Sequence, residues 1–141
     1  MLPDILYPVT ALVALTAVVW VRLYVERLGE LLERKIEPQS LATAAAAGRS
    51  LQRVQASDNF KNLFEVPVLF YALCAFIAAA DLTSPLLLAS AWVFVALRCV
   101  HSLIHLTYNR VTHRFIAYVA STVLLFGMWG VFIAKLMDAA P

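Results

Sequence analysis

Residues 85–108 read PLLLASAWVFVALRCVHSLIHLTY, and this stretch decides the fold. Residues 85–97 contain no ionisable side chain, and Arg98 is the first charge in the stretch. A helix needs about 20 apolar residues to cross the hydrocarbon layer of a bilayer. Ser84 followed by Pro85 is typical of a helix start, because serine caps free N–H groups and proline needs no donor there. The stretch therefore predicts a membrane-spanning helix over residues 85–108.

Three further apolar runs predict membrane spans over residues 5–24, 62–80 and 114–135. The chain has 141 residues, of which 62% are hydrophobic and 14% charged. Soluble domains carry about 25% charged residues, and a soluble chain of this size could not hide so much apolar surface. We therefore predict an all-α integral membrane four-helix bundle that forms a single domain over residues 1–141.

Basic residues are concentrated in two of the connections. The loops that join spans one to two and three to four hold Arg27, Arg34, Lys35, Arg49, Arg53, Lys61, Arg110 and Arg114, whereas the opposite side holds only Lys135. Loops rich in Lys and Arg stay in the cytoplasm, so both termini are expected on the non-cytoplasmic side of a bacterial inner membrane. The net charge of +2, with no block of like charges, predicts no nucleic-acid partner.

The connection over residues 37–57 is rich in alanine, at Ala42 and over residues 44–47. The first helix should project beyond the membrane and stop at Pro38, since proline cannot donate the helical hydrogen bond. The sequence leaves two alternatives open for the connection, a short helix or a mobile loop.

Ionisable residues inside the spans indicate a functional site, because they are expensive to place in a membrane. Arg98, His101 and His105 follow the spacing i, i+3 and i+7, which places them on one stripe of a helix. Ser102 and Asn109 flank this stripe.

A second polar stripe is predicted on the neighbouring helix, where Asp58, Lys61, Asn62 and Glu65 share one face. If the stripes face each other, Glu65 and Arg98 would form an ion pair that neutralises both charges.

Three other interpretations of these polar residues compete with a ligand-binding site: a structural ion pair, a metal site and a proton relay. A buried ion pair can fix helix register without any catalytic role. His101 and His105 are separated like metal ligands, but they have no cysteine partner and no HExxH motif, so we predict no metal. A proton relay is conceivable, although four spans with one polar cluster offer little material for a path across the membrane.

The motifs resemble those of the MAPEG family, the membrane-associated proteins of eicosanoid and glutathione metabolism, in a bacterial-type member. Asn62-Leu63-Phe64-Glu65 precedes Pro67 at the start of span two, span three carries Arg98-x-x-His101-x-x-x-His105, and Arg114 begins span four. The resemblance covers essentially the whole chain in length, number of spans, orientation and motif position.

The resemblance implies a homotrimer that binds glutathione between neighbouring subunits, open to the cytoplasm. Asn62 and Glu65 match the residues that contact glutathione, and Arg98 matches an arginine of the third helix. His101 and His105 occupy positions that usually hold tyrosine or histidine. Arg114 matches the arginine that holds the thiolate, and is the predicted catalytic residue.

One position departs from the family pattern. Asp58 stands where the family has an arginine that binds a carboxylate of the ligand, whereas the carboxylate of Asp58 would repel it. Lys61 on the same face is the candidate that compensates for the missing arginine. His105 also replaces a tyrosine.

The resemblance predicts a glutathione-dependent transferase or peroxidase, embedded in membrane lipid, that acts on lipophilic small-molecule electrophiles. The alternative is a non-enzymatic membrane scaffold, or a small-ligand-binding protein, that keeps the fold without glutathione chemistry.

Overall fold

The computed structural model describes residues 3–139, and all regular secondary structure within this range is helical. Residues 1, 2, 140 and 141, which the predicted domain includes, lie outside the described residues. The helices, in chain order, are α1 (Leu6–Arg34), a short 3-10 helix (Pro38–Leu41), α2 (Ala44–Ser50), α3 (Gln55–Asn62), α4 (Val66–Ala79), α5 (Pro85–Leu106) and α6 (Val111–Asp138).

Four helical segments are long and apolar enough to span a membrane: α1, α3 with α4, α5, and α6. Large apolar side chains on their outer faces are exposed, among them Leu103, Phe115 and Val123. A bilayer solvates such a surface, while the helices satisfy their backbone hydrogen bonds internally. The prediction of an all-α membrane four-helix bundle is confirmed.

An apolar core fills the half of the bundle away from the basic connections. Phe70 of α4 stacks on Phe94 of α5 with ring centroids 4.5 Å apart. Leu12 of α1 and Leu125 of α6 are fully buried in the same core. We call the opposite end, where α1 leads towards α3 and α5 turns into α6, the basic end.

The start of α5 follows the sequence prediction. Ser84 is the N-cap residue, and its side-chain oxygen accepts a hydrogen bond of 3.4 Å from the Leu87 N–H. Pro85 occupies the first turn. The preceding turn contains Asp81 at a φ of 53°, which reverses the chain between α4 and α5 within a few residues.

The second span is interrupted between α3 and α4. A continuous helix over residues 62–80 was the expectation, but Asn62 ends α3 and Val66 begins α4. The cause is Pro67, which has no N–H to offer the Leu63 carbonyl and whose ring collides with that carbonyl in a regular helix. The predicted continuous polar face through Asn62 and Glu65 is therefore wrong.

The alanine-rich connection is a short helix, which resolves the alternative that the sequence left open. Thr43 caps α2, since its hydroxyl accepts a hydrogen bond of 3.1 Å from the Ala46 N–H. The end of α1 also comes before Pro38: Lys35 adopts a φ of 51°, and its N–H returns to the Leu31 carbonyl. The left-handed residue, rather than the proline, stops α1.

A buried carboxylate attaches this connection to α1. Glu30 is 1% exposed and accepts hydrogen bonds from the N–H groups of Gln52, at 2.7 Å, and Arg53, at 3.0 Å. Arg34 donates to Glu30 at 2.6 Å and to the Ser50 carbonyl at 2.7 Å. We call this arrangement the Glu30 latch.

Glu30 lies beyond the apolar part of α1, outside the membrane-spanning segment. Burial alone would raise the pKa of its carboxyl, but the two N–H groups and Arg34 outweigh burial and lower the pKa from 4.5 to about 2. Because the folded-state pKa is lowered, the stabilisation is complete above the ordinary value. It is lost progressively as the pH falls from 4.5 to about 2.

We expect Glu30→Gln to open the connection. The amide NH2 would face N–H donors, and hydrogen bonds to a charged group contribute about 1.5–3 kcal/mol. Since 1.4 kcal/mol is tenfold in an equilibrium, trypsin should cleave at Arg49 and Arg53 at least ~10 times faster than in the wild type. The matched control is Glu33→Gln, because Glu33 pairs with Arg53 at the surface and is 59% exposed. Equal cleavage rates in the two variants would contradict the latch.

Candidate functional site

Polar side chains are buried together at the basic end of the bundle. We call the following group the polar cluster: Asn59, Arg98, His101, Ser102, His105 and Arg114. All except Arg114, which is half-buried, are at most 2% exposed. The helical spacing of the α5 members brings their side chains to one face, as the sequence predicts, and that face is turned into the protein.

Arg98 is the most deeply buried charge. Its Nη2 donates a hydrogen bond of 2.9 Å to the Asn62 carbonyl, and its guanidinium carbon lies 5.4 Å from the centroid of the Tyr118 ring. The ring face attracts the cation but does not neutralise it. The other guanidinium nitrogens, Nε and Nη1, are buried and have no hydrogen-bond partner in the described part of the chain.

The ion pair predicted between Glu65 and Arg98 is not formed. The ion pairs of the described residues all involve other side chains, and Glu65 is exposed. The interruption after Asn62 explains this outcome, because Glu65 sits in the non-helical turn with backbone angles of −93° and −103°. The same turn leaves the Asn62 carbonyl free to accept from Arg98.

Arg114 is held by two uncharged acceptors. Its Nη1 donates to Asn109 Oδ1 at 2.8 Å and contacts His105 Nε2 at 3.1 Å. Because arginine only donates, His105 accepts through Nε2 and is therefore neutral. His101 Nδ1 donates to the Arg114 carbonyl at 3.0 Å, which ties the start of α6 to α5.

Asn59 is the member that the sequence analysis missed. Its Oδ1 accepts a hydrogen bond of 3.2 Å from the Ser102 hydroxyl, which joins α3 to α5. Its Nδ2 is buried and has no hydrogen-bond partner among residues 3–139. The available signal was its position three residues before Asn62, on the neighbouring face of the same helix. Asn109 was noted only as a neighbour of the histidine stripe, although it holds Arg114.

The side chains of the other predicted site residues are not members of the cluster. Lys61 forms an exposed pair with Asp58, with 3.2 Å between Nζ and Oδ1. Glu65 is also exposed, and Asn62 reaches Arg98 through its backbone rather than its side chain. Residues 3–139 contain no group of three or more His, Cys, Asp or Glu side chains that could hold a metal.

These observations define a four-helix integral membrane protein with a largely buried cationic cluster near one end. The family model described as MAPEG family matches residues 5–134, nearly the whole chain. The chain belongs to this family, and the resemblance found in the sequence is confirmed. Comparison with curated proteins and with solved structures finds no significant match.

The burial of Arg98 without a carboxylate leads to a stability prediction. Arg98→Ala should lower the melting temperature, since cavities from large-to-small changes cost about 2–5 kcal/mol. Arg98→Met nearly fills the same volume and removes the unpaired charge. It should therefore melt at or above the wild-type temperature when no ligand is present. Thermal unfolding in detergent measures both variants. If Arg98→Met is as unstable as Arg98→Ala, a carboxylate of the protein pairs with Arg98 after all.

Proposed function

We propose that the protein is a glutathione-dependent transferase or peroxidase that acts on lipophilic electrophiles. The observation that carries the proposal is the presence of two guanidinium groups, of Arg98 and Arg114, in one cluster with no carboxylate partner among the described residues.

An uncompensated buried cation is costly, by several kcal/mol per ion. An anionic ligand that reaches the cluster lowers this cost, so the site favours anions before any specific contact is considered. Arginine binds carboxylates through paired hydrogen bonds, and Arg98 keeps two nitrogens unused. Glutathione supplies two carboxylates and a thiol, which matches two cations of this kind.

Arg114 is the group assigned to the thiol. A cation beside sulfur lowers the thiol pKa and raises the fraction of thiolate, which is the nucleophile. In transfer, the thiolate forms a sulfur–carbon bond with the electrophile, and the leaving group departs with its bonding electrons. The thiol proton passes to water. In peroxide reduction, the thiolate attacks one peroxide oxygen, the O–O bond breaks, and the departing alkoxide takes up a proton to become the alcohol. A second glutathione converts the resulting sulfenic acid into the disulfide and water.

A lateral groove supports the part of the proposal that concerns an apolar co-substrate. It encloses about 620 Å³ between α1, α3 and α4, and Val13, Trp20, Leu63, Phe64 and Tyr71 are part of its lining. The groove reaches the interruption after Asn62 that also receives Arg98. A lipid-soluble electrophile can thus approach from the bilayer while glutathione, a cytoplasmic thiol, approaches from the basic end. The proposal places the basic end in the cytoplasm of a bacterium, at the inner membrane, because Lys and Arg are concentrated in the connections at that end.

The proposal includes a homotrimer with sites shared between subunits. Glu65 supports it, because this carboxylate is exposed on a single protomer within the span predicted over residues 62–80, where a neighbouring subunit would shield it from lipid.

We expect the particle in detergent to weigh three times the protomer mass of 15.6 kDa. Light scattering corrected for bound detergent measures this mass. A stable monomer would exclude shared sites.

The non-enzymatic scaffold remains the second candidate, and Asp58 favours it. The Asp58 carboxylate, paired with Lys61, stands where the family has an arginine, so one clamp for glutathione is missing. The scaffold would retain the fold and the polar cluster as a structural element.

Glutathione binding and turnover distinguish the two candidates. Calorimetry should detect binding of glutathione to the wild type, and a generic chlorinated aromatic electrophile should then be conjugated. We expect Arg114→Ala to lose at least 100-fold in kcat/KM, because the cation that stabilises the thiolate is gone; a typical electrostatic contribution of about 2.7–4 kcal/mol is of this size. The control is Arg110→Ala, because Arg110 is an exposed arginine four residues earlier.

Each outcome distinguishes the enzyme from the scaffold or tests the role of Arg114. Loss of turnover in Arg114→Ala, with Arg110→Ala unchanged, supports the thiolate role. Full activity in Arg114→Ala removes that role. The absence of both binding and turnover at millimolar glutathione would favour the scaffold.

A further inference from the structure

A second cavity lies at the basic end, enclosed by α1, α2 and α3. Its volume is about 530 Å³, within the range of small-molecule sites. None of its lining residues belongs to the polar cluster. Its lining includes Arg27, Thr43, Ala47, Gly48, Ser57 and Lys61. We call it the α2 cavity.

One wall of the α2 cavity is apolar and is held in place by the Glu30 latch. This wall comes from α2, where the small residues Ala44, Ala47 and Gly48 leave space open in front of the helix. A methyl group added at Gly48 would meet no atom within 4 Å. Leu51, only 6% exposed, continues the apolar lining next to the segment that the latch fixes. The cavity therefore has a fixed wall that a hydrocarbon chain can cover.

The other wall is cationic. Arg27 is half-buried and makes no hydrogen bond or ion pair with another described side chain. Lys61 is paired with Asp58 at 3.2 Å. Two cations and one carboxylate leave one uncompensated positive charge on the lining, which matches a ligand with a single negative group.

The cavity lies at the level of lipid head groups. Trp20 and Tyr24, whose ring centroids are 4.7 Å apart, form an exposed aromatic pair on α1 of the kind found at membrane surfaces. Arg27 follows Tyr24 by three residues, which is about 4.5 Å along the helix axis. An amphipathic molecule that partitions into the membrane surface can thus reach the cavity and present its head group to Arg27.

We propose that the α2 cavity binds an amphipathic monoanion, with its hydrocarbon chain against the α2 wall and its carboxylate or phosphate on Arg27. Free fatty acids and lysophospholipids with one phosphodiester charge and an uncharged head group share this chemistry. A bare phosphate would leave the alanine wall uncovered, and glutathione has no apolar body to place there. The inference goes beyond the proposed reaction. Asp58 and Lys61, which line the cavity, are also the positions that the resemblance links to glutathione, but the proposed anchor of the lipid is Arg27, and the polar cluster contributes no residue to the cavity.

Native mass spectrometry in a non-ionic detergent tests the proposal by counting adducts per protomer. The probes are oleate and oleoyl lysophosphatidylglycerol, whose phosphodiester carries a single negative charge. Their controls are oleyl alcohol, which lacks the charge, and inorganic phosphate, which lacks the chain. We expect one saturable adduct of oleate, of lysophosphatidylglycerol or of both, and the probe that binds identifies the source. Binding of oleyl alcohol as tight as that of oleate, or binding of inorganic phosphate alone, would overturn the proposal.

Two variants place the adduct in the α2 cavity. Arg27→Ala removes the unpaired cation, and Gly48→Phe fills the open space; each should weaken binding at least tenfold. Arg49→Ala is the matched control, since Arg49 is an exposed cation of α2 outside the lining, and its binding should equal that of the wild type. A wild-type trypsin pattern shows that Gly48→Phe keeps α2 folded. Wild-type affinity in Arg27→Ala would identify the adduct as lipid bound elsewhere on the surface.

Discussion

The interruption that Pro67 imposes on the second span determines how the polar end of the bundle is built. In a continuous helix, the Asn62 carbonyl would accept from the Val66 N–H. With the helix broken, this carbonyl accepts from Arg98 instead, at 2.9 Å. A backbone oxygen thus anchors a fully buried guanidinium without neutralising it. Glu65, carried outward by the same break, is left exposed rather than paired with Arg98.

The uncompensated charge on Arg98 and Arg114 links stability to function. A protein selected only for stability would pair these cations with carboxylates or replace them with apolar residues. The polar cluster instead surrounds them with neutral groups: a carbonyl, the Asn109 amide and the His105 imidazole. Neutral acceptors orient guanidinium groups and leave their charge for a ligand. The proposed glutathione site depends on this property more than on any single contact.

The polar cluster and the α2 cavity use different faces of the same short helix, α3. Asn59 of α3 points to Ser102 in the polar cluster, while Ser57 and Lys61 of α3 line the α2 cavity. The Glu30 latch fixes the outer wall of that cavity from α1. The carboxylate is placed outside the membrane-spanning segment, where its hydrogen bonds to backbone N–H groups offset the cost of burial.

The sequence by itself determined the spans, the start of α5 and the common face of Arg98 and the two histidines. These features follow from local rules: a bilayer demands long apolar helices, Ser84 and Pro85 suit a helix start, and helical spacing sets which side chains share a face. Family membership was also evident, because the motifs occur at matching positions along the chain.

Only the tertiary structure determined which groups form hydrogen bonds with the buried polar side chains. The sequence suggested that Glu65 would neutralise Arg98, because opposite charges attract, but the partner is a backbone carbonyl. Every residue has such a carbonyl, and which one is free depends on where a helix breaks and what packs beside it. The buried roles of Asn59 and Glu30 escaped the sequence for the same reason: their hydrogen bonds join segments that are distant in the chain and meet only when the bundle is assembled.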